Sequence, residues 1–192
     1  MRNIIVAEFV SLDGVMEDPG GGEDYAHGGW TFKYADDEGY KFKGQELWDC
    51  DALLLGRTTY EGFAKAWPTM KDEAGFADKM NSMPKYVVSS TLTDPTWANT
   101  TVISGDIPAA IAELKQQDGG DILVNGSAQL CGLLHEHDLV DEWRLMVFPI
   151  VLRSGKRLFG DGPEAKGLEL TGCTQLKTGS LYLTYRAANI PA

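Results

Sequence analysis

Positive charge is scarce in this chain. Lys and Arg number 17 against 28 Asp and Glu, a formal net charge of −11. A surface that acidic repels phosphate backbones, and no basic stripe reverses it locally, which argues against nucleic acid as a partner. Cysteine is equally sparse: Cys50, Cys131 and Cys173 lie far apart with no C-x-x-C pair. That is neither a disulfide framework nor a zinc ribbon, and it predicts buried, reduced thiols. No apolar run approaches the ~18 residues of a membrane helix, so no membrane partner is expected. Internal repeats, linkers and low-complexity tracts are also missing.

What remains is 192 residues, 43% hydrophobic and 23% charged, which reads as a single globular domain over 1–192. The opening run from Ile4 to Val10, broken by Glu8, reads as a first β-strand rather than a signal peptide, with the cytoplasm as the expected compartment. The segment Ser11 to Ala35 has no regular periodicity and is rich in glycine. A stretch of that kind in a compact domain reads as a lid over a site, anchored by Trp30, Phe32 and Tyr34.

Beyond it, helices are predicted over 36–49, 58–67, 72–82, from Ser104-Gly105 to Gln117, and from Asn125-Gly126-Ser127 to Leu134. Thr58-Thr59-Tyr60-Glu61 reads as a capping box, and Tyr60, Phe63, Ala64 and Trp67 fall on one helical face. Strands are predicted at 52–55, 85–89, 100–103, 121–124 and 142–148, with a terminal hairpin of 168–176 and 181–187 about Gly179. Alternation of strand and helix followed by strands alone predicts an α/β fold, its sheet mostly parallel with antiparallel C-terminal strands. In the strand 142–148, Trp143, Leu145 and Val147 alternate with Arg144 and Met146. This pattern suits either a sheet paired across a dimer or core packing within one chain.

Three strand-to-helix junctions carry glycine and small hydroxyls: Gly56-Arg57-Thr58-Thr59, Ser104-Gly105-Asp106 and Asn125-Gly126-Ser127-Ala128. Unpaired N–H groups of a first helical turn, with the positive end of the helix dipole behind them, bind phosphate at the carboxyl ends of parallel strands. Such residues also cap helices everywhere. Three junctions in one small domain, with the forked donor set of Arg57 among them, favour an anionic ligand such as a dinucleotide.

The motifs extend this reading. Leu54-Leu55-Gly56-Arg57-Thr58-Thr59-Tyr60-Glu61 resembles the cofactor-binding strand and turn of dihydrofolate reductases, and Val87-Val88-Ser89-Ser90-Thr91-Leu92 resembles their next strand and turn. Ile122-Leu123-Val124-Asn125-Gly126-Ser127-Ala128-Gln129-Leu130 resembles their pyrophosphate turn. With Val10-Ser11-Leu12-Asp13-Gly14 and Phe148-Pro149-Ile150-Val151-Leu152, the order is closer still to the reductase domain of riboflavin biosynthesis.

The resemblance implies a three-layer dihydrofolate-reductase-like fold binding NADPH, a homodimer, and hydride transfer to a small heterocycle. It places Gly56, Arg57, Thr58 and Thr59 with Asn125, Gly126, Ser127, Ala128, Gln129 and Leu130 around the phosphates, and Ser89, Ser90 and Ser104 toward the adenosine. Asp13 and Asp36 are its candidate acids, and Trp30 its stacking surface for substrate. Ser90 stands where related reductases carry Arg, Asn125 where dihydrofolate reductases carry Gly, and Val15 where riboflavin-pathway reductases carry Lys. Glu17, Asp18, Glu23 and Asp24 leave the lid acidic with only Lys33 opposing them, which favours a neutral substrate over a ribosyl phosphate.

Other constellations carry less. His135-Glu136-His137-Asp138 reads as favourable charge at a helix C-terminus rather than a metal site. Gly126-Ser127-Ala128 lacks the second glycine of a nucleophile elbow, Leu130 standing in its place. A dinucleotide-binding module without turnover is the alternative to a reductase, since the sequence offers no clear proton donor.

Overall fold

The computed structural model describes residues 1–162 and 164–188. Its elements run β1 (Ile4–Ser11), α1 (Asp37–Asp49), β2 (Cys50–Gly56), α2 (Arg57–Ala66), α3 (Phe76–Ser82), β3 (Lys85–Val88), β4 (Thr100–Ile103), α4 (Ile107–Gln116), β5 (Asp121–Val124), α5 (Ala128–Glu136), β6 (Glu142–Phe148), β7 (Leu168–Gln175) and β8 (Leu181–Ala187). Eight strands form one sheet in the order β4-β3-β2-β5-β1-β6-β8-β7. Pairs from β4 through β6 are parallel; β8 is antiparallel to both β6 and β7.

Period-2 alternation sorts the strand residues onto two faces. Ile4, Val6, Leu54, Ile122 and Val124 pack against Ile111 and Leu114 of α4 and Leu130 and Leu134 of α5. Ile5, Ala7, Leu53, Leu55 and Leu123 pack on the opposite face with Leu47 of α1, Tyr60 of α2 and Met80 of α3. The result is three layers. Ala52 to Leu55 are fully buried, as an all-apolar strand covered on both faces requires.

Several local expectations change in the fold. The N-cap of α2 is Gly56, not Thr58, and no side chain caps it, so the 58–61 capping box does not form. Asp36 does cap α1, its Oδ1 accepting the Gly39 N–H at 2.6 Å. β6 lies between β1 and β8 with both edges paired, and Trp143 and Leu145 are buried within the core of the one chain. Cys50 and Cys131 are buried but Cys173 is exposed on the edge strand β7, against the expectation of three buried thiols. Lys166 caps the C-terminus of α5, donating to His135 O at 2.8 Å and Glu136 O at 2.9 Å. His135 instead packs edge-on against Trp143, and desolvation lowers its pKa, so the cation at this helix end is the lysine.

Candidate functional site

The turns after β2 and β5 are locked together. Gly126 (φ 62°) and Ser127 (φ 67°) are consecutive left-handed residues between β5 and α5. A left-handed serine costs about 1–2 kcal/mol and persists only where its surroundings hold it. Here they do: Ser127 Oγ accepts the Gly56 N–H at 2.8 Å and bonds Thr59 Oγ1 at 3.0 Å. A Cβ on Gly126 would lie 2.8 Å from Thr59 Oγ1, and one on Gly56 3.3 Å from Ser127 Cβ. The first turns of α2 and α5 therefore meet at the carboxyl end of the sheet, one from each face, both without a side-chain cap. That is a cradle for a phosphate or pyrophosphate.

Around it the expected cofactor residues divide. Arg57 opens α2 with its side chain half exposed and its Nη1 3.1 Å from Glu61 Oε1, an exposed pair worth little against a stronger anion. Thr58 is exposed beside it, and Asn125 and Ala128 are half-buried. Gln129 is exposed on α5, but the Leu130 side chain is in the core and can offer only backbone. Ser89 and Ser90 follow β3 and Ser104 follows β4, at the same end of the sheet. Ser90 and Ser104 are exposed, whereas the Ser89 hydroxyl holds its own turn by accepting from Thr91 N at 3.2 Å and Leu92 N at 3.0 Å.

The 11–35 segment is tied down rather than free. Val15 bridges Arg157, Leu12 N donates to Ile150 O, and the Tyr25 hydroxyl donates to Ser154 O. Asp13 makes the tightest tie. Its carboxylate accepts from Ser11 Oγ (2.7 Å), Leu152 N (3.0 Å) and Arg153 N (2.8 Å). Partial desolvation pushes its pKa upward, but these donors outweigh that and bring it down to about 2. Asp13 is thus a clamp between two loops, held as carboxylate. Trp30 is 3% exposed, edge-on to Phe148, with its indole N–H given to Glu17 O at 2.8 Å. It is a buried wall, with no face left for stacking. Asp36 keeps one oxygen, Oδ2, buried and without a partner. The loop's acidity is also offset from across the fold: Lys156 pairs with Glu17 at 2.9 Å, and Arg157 Nη1 donates to Asp13 O at 2.9 Å. Counting charges along the sequence missed these cations.

Sequence reasoning also missed the groups along the outer half of β1. β5 accompanies β1 only from Ile4 to Val6, whereas β6 follows it to Ser11. From Ala7 onward, one edge of β1 borders the Asn125–Ser127 turn instead of a strand. There Ala7 O accepts from Asn125 Nδ2 at 2.7 Å and from Lys43 Nζ at 3.5 Å. Lys43 lies 4.8 Å from the Phe9 ring centroid and pairs with Glu46, which is 1% exposed and accepts from the Tyr182 hydroxyl at 3.0 Å. On the other face of β1, Glu8 is buried against Cys131. Burial pushes its pKa well above the ordinary carboxyl value. The sequence signal was a polar residue inside an apolar strand, and a Lys–Glu pair at i, i+3.

Two clefts of about 480 and 450 Å³ lie at the amino end of the sheet, one beside Trp143 and Lys166, the other beside Arg144 and Arg186. Neither contains a residue of the cradle. Among the described residues no group of three or more His, Cys, Asp or Glu is placed to hold a metal ion, and no helix is long and apolar enough to cross a membrane.

The architecture and the cradle together define an α/β protein of the dihydrofolate-reductase fold. Residues 2–182 match the RibD C-terminal domain, and the chain belongs to that family. It is 29% identical over 187 residues to the uncharacterized protein YyaP of Bacillus subtilis, covering 96% of this chain and 94% of that one. The crystal structure of a putative riboflavin biosynthesis protein from Shewanella sp. PV-4 superimposes with a TM-score of 0.75 at 22% identity, over 98% of this chain and 100% of the other. A dihydrofolate reductase from Enterococcus faecalis, complexed with NADP(H), superimposes with a TM-score of 0.61 at 13% identity, over 97% of each chain. At these identities the two structures speak for the fold.

Proposed function

We propose that the protein is an NADPH-dependent reductase acting on a small heterocycle of the pterin or aminopyrimidine type. The observation that carries this reading is the interlocked pair of helix N-termini, where Ser127 joins Gly56 to Thr59. The residues fit a dinucleotide: glycine at Gly126 and Gly56 lets the two turns close on each other, since a Cβ at either would press on Thr59 or Ser127. Neither α2 nor α5 has a side-chain cap on its first turn. When bound, the nicotinamide supplies the hydride, and the protein need only orient, exclude water and manage one proton.

Of the two candidate acids, Asp36 is the better placed. It carries an unpartnered buried oxygen, whereas Asp13 is held as carboxylate by three donors. Arg57, Thr58 and Thr59 line the α2 side, Ser127, Ala128 and Gln129 the α5 side, and Ser90 and Ser104 extend the surface toward β4. Arg57 is the cation that meets a 2′-phosphate, so NADPH is favoured over NADH.

Titration with each coenzyme, followed by tryptophan fluorescence, tests this. NADPH quenches at micromolar concentration and NADH only weakly. In Arg57→Ala, NADPH affinity falls by ~1–3 kcal/mol, the scale of lost charged hydrogen bonds, with NADH unchanged. Absence of coenzyme binding by the wild-type protein would remove the reading. Steady coenzyme oxidation in a screen of small heterocycles separates a reductase from a binding module.

A further inference from the structure

We propose that Lys43 is a specificity-determining residue of the coenzyme crevice, a fixed positive pole that makes the site prefer the reduced over the oxidised nicotinamide coenzyme. This rests on the reductase reading above and deepens it.

The argument begins with where β1 loses its neighbour. Phosphates in the cradle are bounded by Asn125–Ser127, and Asn125 is itself bonded to Ala7 O. The redox end of a dinucleotide held there would lie along the stretch of β1 beyond Val6 that β5 does not pair. Lys43, descending from α1, reaches the same carbonyl from above. Its ammonium cannot swing far, since Glu46 holds it from one side and the Phe9 ring from the other. Glu46 is in turn fixed by Tyr182, whose ring stacks on Phe42 at 4.2 Å.

The groups around this pole leave it uncancelled on the β1 side. Glu8 lies on the opposite face of β1, buried against Cys131. Asn125 is an uncharged donor. Glu46 is the carboxylate paired with Lys43; Lys43 reaches Ala7 O on β1, whereas Glu46 accepts from Tyr182 on β8, two strands along the sheet. The Lys43–Glu46 pair is therefore a dipole with its positive end toward the crevice. An oxidised nicotinamide ring carries a positive charge and a reduced ring none, so a fixed cation there penalises one redox state and not the other. A lysine that merely neutralised Glu46 would affect both coenzymes alike.

Fluorescence titrations with NADP⁺ and NADPH measure the ratio of their dissociation constants. Wild-type protein is expected to bind NADPH tighter, and Lys43→Met to narrow the ratio roughly five- to tenfold. Removing Lys43 alone leaves Glu46 a buried charge that adds to the effect, so Lys43→Met combined with Glu46→Gln is the folded neutral counterpart, and it should still narrow the ratio, by less than the single variant. Lys43→Arg, which keeps the charge, should restore it. An unchanged ratio in the double variant overturns the proposal even with the coenzyme site intact. Wild-type protein that binds neither coenzyme overturns the reductase reading instead, and this proposal with it.

Discussion

The two ends of the sheet are built on opposite principles. At the amino end, charged side chains satisfy one another. Arg144 pairs with Glu142 at 2.7 Å and Asp49 at 3.1 Å, Arg186 with Glu142 at 3.1 Å, and Lys115 with Asp141 at 2.6 Å. At the carboxyl end, Ser127 bonds Gly56 and Thr59 and so joins the uncapped first turns of α2 and α5, with Arg57 held only by Glu61. A protein of net charge −11 can thus offer an anion a site. Local donors and helix dipoles act over a few ångströms, whereas net charge acts through screened solvent.

The strongest way to break this contrast is Gly126→Val. Its Cβ would meet Thr59 at 2.8 Å with φ at 62°. Coenzyme binding should be lost, with a stability decrease of about 2–4 kcal/mol in urea denaturation. Retained micromolar binding would show that the cradle is not the site.

The amino end should answer in the other way. Arg144→Met takes Asp49's ion pair and one of the two cations on Glu142, which keeps Arg186, so stability should fall by about 1–2 kcal/mol while coenzyme affinity stays within twofold. A large loss of affinity would mean that the two ends are coupled.

Lys85 sharpens the comparison further. It is 0% exposed, its ammonium donating to Asn81 O (2.7 Å), Met83 O (2.8 Å) and Ala98 O (3.1 Å) with no carboxylate partner. Desolvation lowers its pKa from 10.5 to about 8. The folded state therefore holds this proton less tightly than the unfolded one, and stability should rise by about 1–2 kcal/mol from pH 8 to pH 10.5. Lys85→Met should lack that rise when the two curves are compared.

The smallest effect belongs to Asp13. Its folded pKa of about 2, below the usual 3.8, contributes stability that is present above pH 3.8 and lost as the pH falls toward 2. Because the group is largely solvated, Asp13→Asn should flatten this acid limb by less than about 1 kcal/mol. It should also leave turnover unchanged, whereas loss of an acid in the chemistry would lower it.

Much of this was legible along the chain, and for stated reasons. The apolar runs at 52–55 and 121–124 identify covered strands because a strand buried on both faces has no polar alternation. The junctions after β2 and β5 were visible because glycine beside small hydroxyls marks a turn whose backbone must be approachable. Trp30 was misread because an aromatic in a glycine-rich loop looks exposed until Phe148 is brought against it. Asp13 looked like an acid because its three donors come from Ser11 at one side and from Leu152 and Arg153, some 140 residues away, at the other. Lys43 went unnoticed since nothing in a helical sequence says which carbonyl its ammonium will reach.

By itself, then, the sequence determined the periodicities, the turns and the order of motifs, because these follow from interactions among residues a few positions apart. Tertiary structure alone decided that Ser127 would join Gly56 and Thr59, that β5 would leave β1 at Val6, and that Lys43 would stand over the gap. Those are long-range contacts, set by how the layers pack and by the register between strands. No local preference encodes them.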